Sequence, residues 1–298
     1  NMENKSYCDV DIKKRFECNN SRIASQFVDV NVFSNKKHQY NNLAMYNNNI
    51  GNTNDYLPYT EIFTKQNILD IKDRFNKKNK FIIKPENSLA RKGVLVVNDY
   101  DTLVDYVNDS KYNEWILQEY IDDPLLYDGK KFHFRLYVIV LKNNDKIKIY
   151  IYKKGFMYFA EEKYDKDVIN QKSHLSGEGS RDLVKVYPKD FVKYYGNDNY
   201  KLIYEQFKDI AFDTVNSNIN DIECINKSND DYKCFKFFGF DILVNNDFKL
   251  HLAEVNARVI SMKYPPKNFK KDFYETLMDL VLKNKVNHKL LDDITNHK

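Results

Sequence analysis

The sequence predicts a mixed α/β (α+β) protein with two β-rich lobes and a small N-terminal lobe, and three observations predict it. The stretch Phe237-Phe-Gly-Phe-Asp241-Ile-Leu-Val-Asn-Asn-Asp-Phe-Lys-Leu-His-Leu-Ala-Glu254-Val-Asn256 reads as two strands joined by a polar turn. Phe132 to Leu141 alternates cleanly: Phe132, Phe134, Leu136, Val138 and Val140 face one way, and Lys131, His133, Arg135 and Tyr137 the other. Upstream, short apolar runs at Phe81-Ile-Ile83, Val94 to Val97 and Trp115 to Ile121 surround a helical pattern at Tyr100 to Val107.

Along the chain, residues 1–56 are Asn-rich and weakly periodic, a small lobe or an irregular extension. Pro58 marks a boundary. A central lobe is expected over 57–121, opening with helical spacing from Glu61 to Phe75 through Ile62, Leu69, Ile71 and Phe75. A C-terminal lobe is expected over 122–298, beginning with a turn at Pro124 and Asp128-Gly129. After the alternating strand comes another at Ile147 to Tyr152, ended by Gly155. Residues 160–200 are polar, punctuated by Gly177 and Gly179, and read as a long loop. Tyr200 to Asn216 is helical in pattern, the hairpin follows, and Phe273 to Leu282 suggests a closing helix.

At 298 residues the chain can bury a substantial core. Its 42% hydrophobic and 30% charged residues are those of a globular protein. No apolar run approaches the ~18 residues of a membrane span, and no secretory signal is visible, so a cytoplasmic, monomeric protein without membrane attachment is expected. The net charge of +4 permits an acidic partner without demanding nucleic acid, and no nucleic-acid partner is expected. Cys8, Cys18, Cys224 and Cys234 form no CxxC pair, and the histidines are scattered. Free thiols are therefore expected rather than a zinc site or a disulfide framework.

The hairpin carries the strongest chemical signal. Glu254 and Asn256 point the same way by strand parity. With a two-residue turn at Asn246-Asp247, or a four-residue turn from Asn245 to Phe248, Asp241 falls opposite Leu252 and shares a face with Leu252, Glu254 and Asn256. An odd, three-residue turn would put Asp241 on the other face. Carboxylates inside apolar runs are seldom buried without a partner or a metal. Two carboxylates and an amide oxygen suit a hard divalent cation, although a solvated acidic face would give the same pattern.

Lys84 ends a strand and opens Lys84-Pro-Glu-Asn-Ser-Leu-Ala-Arg-Lys-Gly93-Val94, an arrangement that brings a point charge to a phosphate, or equally an ordinary exposed turn lysine. Lys131, His133 and Arg135 make a basic row, and the Arg135 fork suits a carboxylate or a transferring phosphoryl group; a solvated edge-strand face is the alternative. A lysine and glycine loop, a linking strand, a basic row and a carboxylate hairpin follow the order of a nucleotide held between two β-rich lobes.

These blocks resemble the ATP-grasp ligases, and among them the tubulin tyrosine ligase-like group, over roughly Leu57 to Asn256. Pro58, Lys84-Pro85 with Gly93-Val94, and the linker Trp115 to Ile121 are similar to the family's first helix signal, phosphate loop and adenine-reading linker. Pro124-Leu-Leu126 with Gly129-Lys-Lys131-Phe-His-Phe-Arg135 resembles its "PLL…G-K-F-D-I-R" block, Tyr152-Lys-Lys-Gly155 its "Y-R-E-G", and His174-Leu-Ser176 its "H-L-T-N". Asp241, Glu254 and Asn256 match its magnesium-binding residues in spacing. Departures lie at Leu89-Ala-Arg91, Glu119, His133, Lys153, Gly177 and Ala257-Arg-Val259, so the ATP and metal core matches better than the rim.

The resemblance implies an ATP-grasp fold and an ATP-dependent carboxylate–amine ligase using ATP and two magnesium ions. It would form an acyl phosphate that an amine converts to an amide. It assigns Arg135 and Glu254 to catalysis, and Asp241, Glu254 and Asn256 to magnesium. ATP falls to Lys84, Gly93, Gln118, Glu119, Tyr120, Ile121, Lys131 and His133, and the substrate rim to Lys153, His174, Ser176 and Arg258. The partners implied are a free amino acid and a protein or peptide acceptor; the altered rim points away from tubulin. A small-molecule kinase and a non-catalytic nucleotide-binding protein are the alternatives, separated by whether the product is an amide, a phosphate ester or neither. No extended basic domain follows Asn256, so a minimal catalytic core is expected.

Overall fold

The computed structural model describes residues 23–24, 27–29, 31–51, 56–77, 79–86, 88, 92–177, 184–224, 233–257 and 267–298. Two sheets, mostly antiparallel, carry a mixed α/β fold as the sequence predicts.

At the N-terminal end, β1 (Ile23–Ala24) is followed by α1 (Asn31–Ser34) and α2 (Lys36–Asn49). The sequence pattern showed no helix at α2, and the reason is visible. The face it buries is Gln39, Leu43 and Asn47, a stripe at i, i+4 and i+8 with only one apolar member. Asn35 caps it by accepting from His38 N–H at 3.0 Å.

The smaller sheet has the order β2 (Thr60–Thr64), β5 (Glu114–Glu119), β3 (Phe81–Pro85), β4 (Leu95–Val97). The helix expected over Glu61 to Phe75 is instead strand β2 and a 3₁₀ segment, Ile68–Lys77. Pairing of Thr60 to Thr64 along β5 outweighs the helical spacing, as tertiary context does for a short β-branched and aromatic run. Helix α3 (Tyr100–Asp109), capped by Asp99, and the 3₁₀ segment cover one face over a core that includes Trp115, Leu117, Ile83 and Leu103.

The larger sheet runs β1, β10 (Lys233–Val244), β7 (Lys130–Asn143), β8 (Lys146–Phe159), β12 (Leu291–Asp293). β11 (Leu250–Asn256) pairs with β10, β6 (Leu126–Tyr127) with β7, and β9 (Lys185–Tyr187) with β8. Gly155 does not end β8. The strand continues to Phe159 through a register shift opposite Leu136, where Gly155 lies so close that a Cβ would sit 2.5 Å from the Arg135 carbonyl oxygen. The stretch 160–200 is also more ordered than a loop: it contains α4 (Gln171–His174), β9, α5 (Lys189–Tyr195) and the start of α6 (Asn197–Asn216).

Phe132, Phe134, Val138, Phe238, Phe240 and Ile242 turn one face of this sheet into a core that α1, α2, α5 and α6 cover. On the other face, α7 (Lys267–Lys283) lays Phe269, Phe273, Leu277 and Leu280 over Tyr137, Ile139, Tyr152 and Phe156. Only half of that second face is covered by α7.

The free-thiol expectation fails for one pair: Cys224 and Cys234 form a disulfide. Both are buried, because Phe27 bridges to Cys224 and Ala24 pairs with Cys234, so one N-terminal segment brings them together. Cys8 and Cys18 lie outside the described residues. Among the described residues, no helix is long and apolar enough to cross a membrane.

Candidate functional site

The face alternation of β7 dictates the site's basic row. Lys131, His133 and Arg135 turn away from the phenylalanine core, as their spacing predicts. The hairpin supplies the acidic side by a route the sequence did not show. Val244 pairs with Leu250, so the turn is an odd, five-residue loop, 245–249. An odd turn alone would separate Asp241 from Glu254. A β-bulge at Ala253 restores the match: Ile242 pairs with Leu252, yet Asp241 pairs with Glu254. Leu252 thereby joins the core instead of the site face, which corrects that part of the parity argument. Two neighbouring elements hold the bulged strand: Leu252 N–H donates to Tyr56 O, and Val255 N–H to Gln39 Oε1 of α2.

β7 and β10 bring the two sides together, since Asp241 stands opposite Arg135. The guanidinium grips the carboxylate with both arms, Nε to Oδ1 and Nη2 to Oδ2, the latter at 2.8 Å. Asn256 Nδ2 donates to Asp241 Oδ2 at 3.1 Å, and His133 Nε2 lies 3.8 Å from Oδ1. Burial alone would push the Asp241 carboxyl up, but the charges of Arg135 and His133 and these hydrogen bonds hold it below the ordinary range. Glu254 goes the other way: burial and the nearby Asp241 raise it, against the pull of Lys36.

Lys84 at the end of β3 and Lys131 on β7 enter one cavity of about 140 Å³ between the sheets, from opposite sides. Lys84 Nζ donates to Gln118 Oε1 at 2.7 Å and to Ala253 O at 3.2 Å, so it crosses from the smaller sheet to the bulge of the larger. Lys131 Nζ sits 3.8 Å above the Tyr120 ring, a cation–π contact. Burial depresses both ammonium groups, Lys84 to about 8 and Lys131 to about 7. Each is therefore a desolvated cation that an anion in the cavity would satisfy.

Glu119, Tyr120 and Ile121 of the linker and His133, His174, Ser176, Asp241 and Glu254 line the same cavity, with Gln118. Glu119 and Tyr120 donate their N–H groups to Tyr59 O and Lys80 O, which fixes the linker's path. Ser176 Oγ lies 2.7 Å from His133 Nδ1. His174 is buried, with Nε2 within 3.0 Å of the Asp165 and Val168 carbonyls, and burial lowers its pKa. Arg135 and Asn256 stand behind Asp241 rather than in the wall. Gly93 has a left-handed φ of 74° and no room for a Cβ, which would lie 2.7 Å from Pro85 Cγ. Lys153 is set apart from the others, with its ammonium donating to His288 O. Arg258 lies outside the described residues.

Lys36 was not foreseen. It opens α2, donates to Ser88 O at 3.2 Å and lines the cavity beside Glu254. The only sequence signal was a lysine pair directly after a capping Asn35. Ile82, Val94 and Leu243 add apolar wall on which a flat ring system could lie.

The profile described as Tubulin-tyrosine ligase family matches residues 16–291. The chain belongs to the tubulin-tyrosine ligase family. It is 24% identical over 229 residues to the Tetrahymena thermophila protein named "Probable alpha-tubulin polyglutamylase Ttll1", covering 68% of this chain and 54% of that one. It is 29% identical over 221 residues to a "Probable beta-tubulin polyglutamylase" of the same organism, covering 63% and 18%. Against the mouse "Tubulin polyglutamylase TTLL5" it is 30% identical over 200 residues, covering 59% and 14%. The chain thus spans about half the length of one of these relatives and less than a fifth of the others.

As a family of ATP-grasp ligases, the tubulin-tyrosine ligases generally use ATP and Mg2+. The donor set here fits such a cation. Among the described residues no three His, Cys, Asp or Glu side chains cluster as a ready metal cage. What exists is a half-buried carboxylate pair, Asp241 and Glu254, plus Asn256, whose amide nitrogen is turned to Asp241 and whose carbonyl oxygen is a further hard donor. Magnesium characteristically takes one or two carboxylates and completes its shell with phosphate oxygens and water.

Proposed function

We propose that this chain is an ATP-dependent carboxylate–amine ligase that adds glutamate to a protein or peptide acceptor, with tubulin the first acceptor to test. The observation that carries it is the meeting, in one cleft, of two depressed lysines and a carboxylate pair from facing sheets. The family supports the ligase chemistry, and the relatives' names support glutamate and tubulin. The smaller sheet within 57–121 and the larger sheet, whose strands other than β1 lie within 122–298, would serve as the two lobes of an ATP-grasp fold.

In this reading the purine lies against Ile82, Val94 and Leu243 beside the linker Gln118 to Ile121, within reach of His174. Lys84 and Lys131 hold the phosphates from opposite sides, and Gly93 is assigned to the phosphate side. Asp241, Glu254 and Asn256 would hold magnesium, which would supply positive charge against the transferred phosphoryl group. The acceptor carboxylate oxygen attacks the γ-phosphorus and ADP leaves, giving an acyl phosphate. The amine nitrogen of glutamate then attacks the acyl carbon, phosphate departs, and the nitrogen loses a proton to form the amide. Arg135, gripping Asp241 from behind the cavity wall, would supply positive charge near the oxyanion that develops in both steps. His133 and Ser176, joined to each other, border the ribose side, and Lys153 belongs to the outer rim.

The test incubates the protein with Mg-ATP, labelled glutamate and purified tubulin, and reads ADP release and the mass of the acceptor. Glutamyl additions by the wild type, abolished by Glu254→Gln without loss of fold, are expected. Full activity in Glu254→Gln would sink the assignment of the hairpin. ADP formation with a phosphorylated product and no amide would replace the ligase with a kinase.

A further inference from the structure

Residues 160–177 leave the larger sheet at the end of β8 and come back to it. Ala160 N–H donates to Lys131 O at 2.8 Å, and Gly177 N–H to Phe159 O at 3.2 Å. Between these closed ends lies an Ω-type loop. It is stiffened from inside, because Glu161 and Glu162 N–H both donate to Lys172 O and the His174 ring bonds the Asp165 and Val168 carbonyls. Tyr164 N–H donates to Gly129 O, a second attachment to the larger-sheet side.

The same loop also holds the smaller sheet. β4 is the edge strand there, and an edge strand presents N–H and C=O groups with no strand partner. Val96 N–H donates to Gln171 Oε1 at 3.2 Å, and Gln171 Nε2 donates back to Val96 O at 3.3 Å. One side-chain carboxamide thus takes the place of a neighbouring strand residue. Lys80 makes a further link, donating to both Asp122 Oδ1 and Lys166 O, while the Tyr164 hydroxyl donates to Asp122 O at 3.0 Å. A strap rooted on one sheet is therefore fastened to the edge of the other. Just beyond Gln171 it delivers His174, Leu175 and Ser176 to the cavity wall, and Val94 lines that wall two residues before the fastened Val96.

We propose that the 160–177 strap is a latch across the nucleotide cleft and that Gln171 is its positioning residue, setting how fast nucleotide leaves. The proposal rests on the nucleotide-binding reading above. Gln171 touches no reacting atom; it acts by holding the two lips of the cleft at a fixed separation. Exchange of nucleotide then requires the Gln171–Val96 pair to part, and the strap's stiffness makes it move as one piece.

The test uses Gln171→Ala, and Gln171→Leu as a variant that keeps the bulk without the amide. Release of a bound fluorescent ATP analogue, chased by excess Mg-ATP in a stopped-flow instrument, should be roughly tenfold faster in both variants, the loss of two neutral hydrogen bonds. Association should speed up by a similar factor, so that affinity changes little, and the melting temperature of the nucleotide-free protein should hold. In parallel, amide hydrogen exchange over 161–176 and at Val96 should rise in both variants without nucleotide. Unchanged release or unchanged exchange overturns the latch, as does a Gln171→Leu variant that releases like the wild type. If the wild type binds no ATP analogue, the nucleotide reading fails, and the exchange measurement alone then decides whether the strap is fastened by Gln171.

Discussion

Nucleotide binding to this protein should take up protons, and the amount follows from Lys84 and Lys131. Burial places Lys131 at about 7 and Lys84 at about 8 in the nucleotide-free cleft. At pH 8 the first is then charged about a tenth of the time and the second about half. Phosphate oxygens beside both would restore full charge, so binding at pH 8 should take up about 1.4 protons, against about 0.1 at pH 6. Affinity should accordingly fall roughly 25-fold per pH unit near pH 8 and be nearly flat near pH 6. The same shifts have a consequence without ligand. The unfolded chain binds more protons than the native one between the depressed values and lysine's ordinary range, so the nucleotide-free protein gains stability as pH rises through that window. Saturating nucleotide should cancel the gain. Calorimetric titration of Mg-ATP in two buffers of different ionisation enthalpy measures the uptake directly, and at pH 8 the nucleotide itself contributes no proton change. Lys131→Met should reduce uptake to about 0.5. Uptake near zero at pH 8, or an unchanged value in Lys131→Met, would refute the placement of both lysines against phosphate.

Two further outcomes test the frame around the site. Gly155→Ala drives a Cβ to 2.5 Å from the Arg135 carbonyl oxygen and 2.8 Å from Leu136 Cδ2, so it should cost roughly 1–3 kcal/mol in urea unfolding and weaken nucleotide binding as well. Arg135→Met leaves the half-buried Asp241 without its bidentate partner and should cost roughly 1–3 kcal/mol; because Arg135 holds the Asp241 pKa down, the variant should also lose the acid-side fall in stability that the wild type shows as its carboxylate protonates.

Strand alternation made much of the site legible. Which face of β7 carries Lys131, His133 and Arg135 follows from period two alone, and the apolar run Phe81 to Ile83 marks the strand that carries Lys84. The hairpin was right in its outcome and wrong in its route. An even turn was expected to align Asp241 with Glu254, whereas an odd turn and a bulge at Ala253 do so together. Nothing in a single alanine announces a bulge, since the extra residue is defined by its partner strand. Contacts between distant segments were similarly hidden. Lys36 reaches the cavity from a helix whose buried stripe is mostly polar, and Cys224 meets Cys234 through a third segment. The segment 160–200 looked like loop because its elements are short, and their order comes from hydrogen bonds to β8, Gly129 and Val96.

The register explains why the site sits where it does. Glu254, Asp241, Arg135 and Phe156 form one row across four strands. Both register shifts of the larger sheet flank that row, one between Asp241 and Ile242 and the other between Arg135 and Tyr137. On one side of it, the same sheet face is apolar: Tyr137, Ile139, Phe235 and Phe237 lie under α7. On the other side, Lys131, His133 and Leu243 face the cavity. The row is thus the border between a covered half and an open half. Bulges there re-aim polar side chains toward the opening while the strands continue into the core. A charged row in the covered half would have no solvent or ligand to satisfy it. A row farther into the open half would lack the packing that fixes the Arg135 fork on Asp241. The border position meets both demands, and it places the carboxylate pair directly across the cleft from Lys84, whose side chain reaches over from the smaller sheet and bonds the bulge itself.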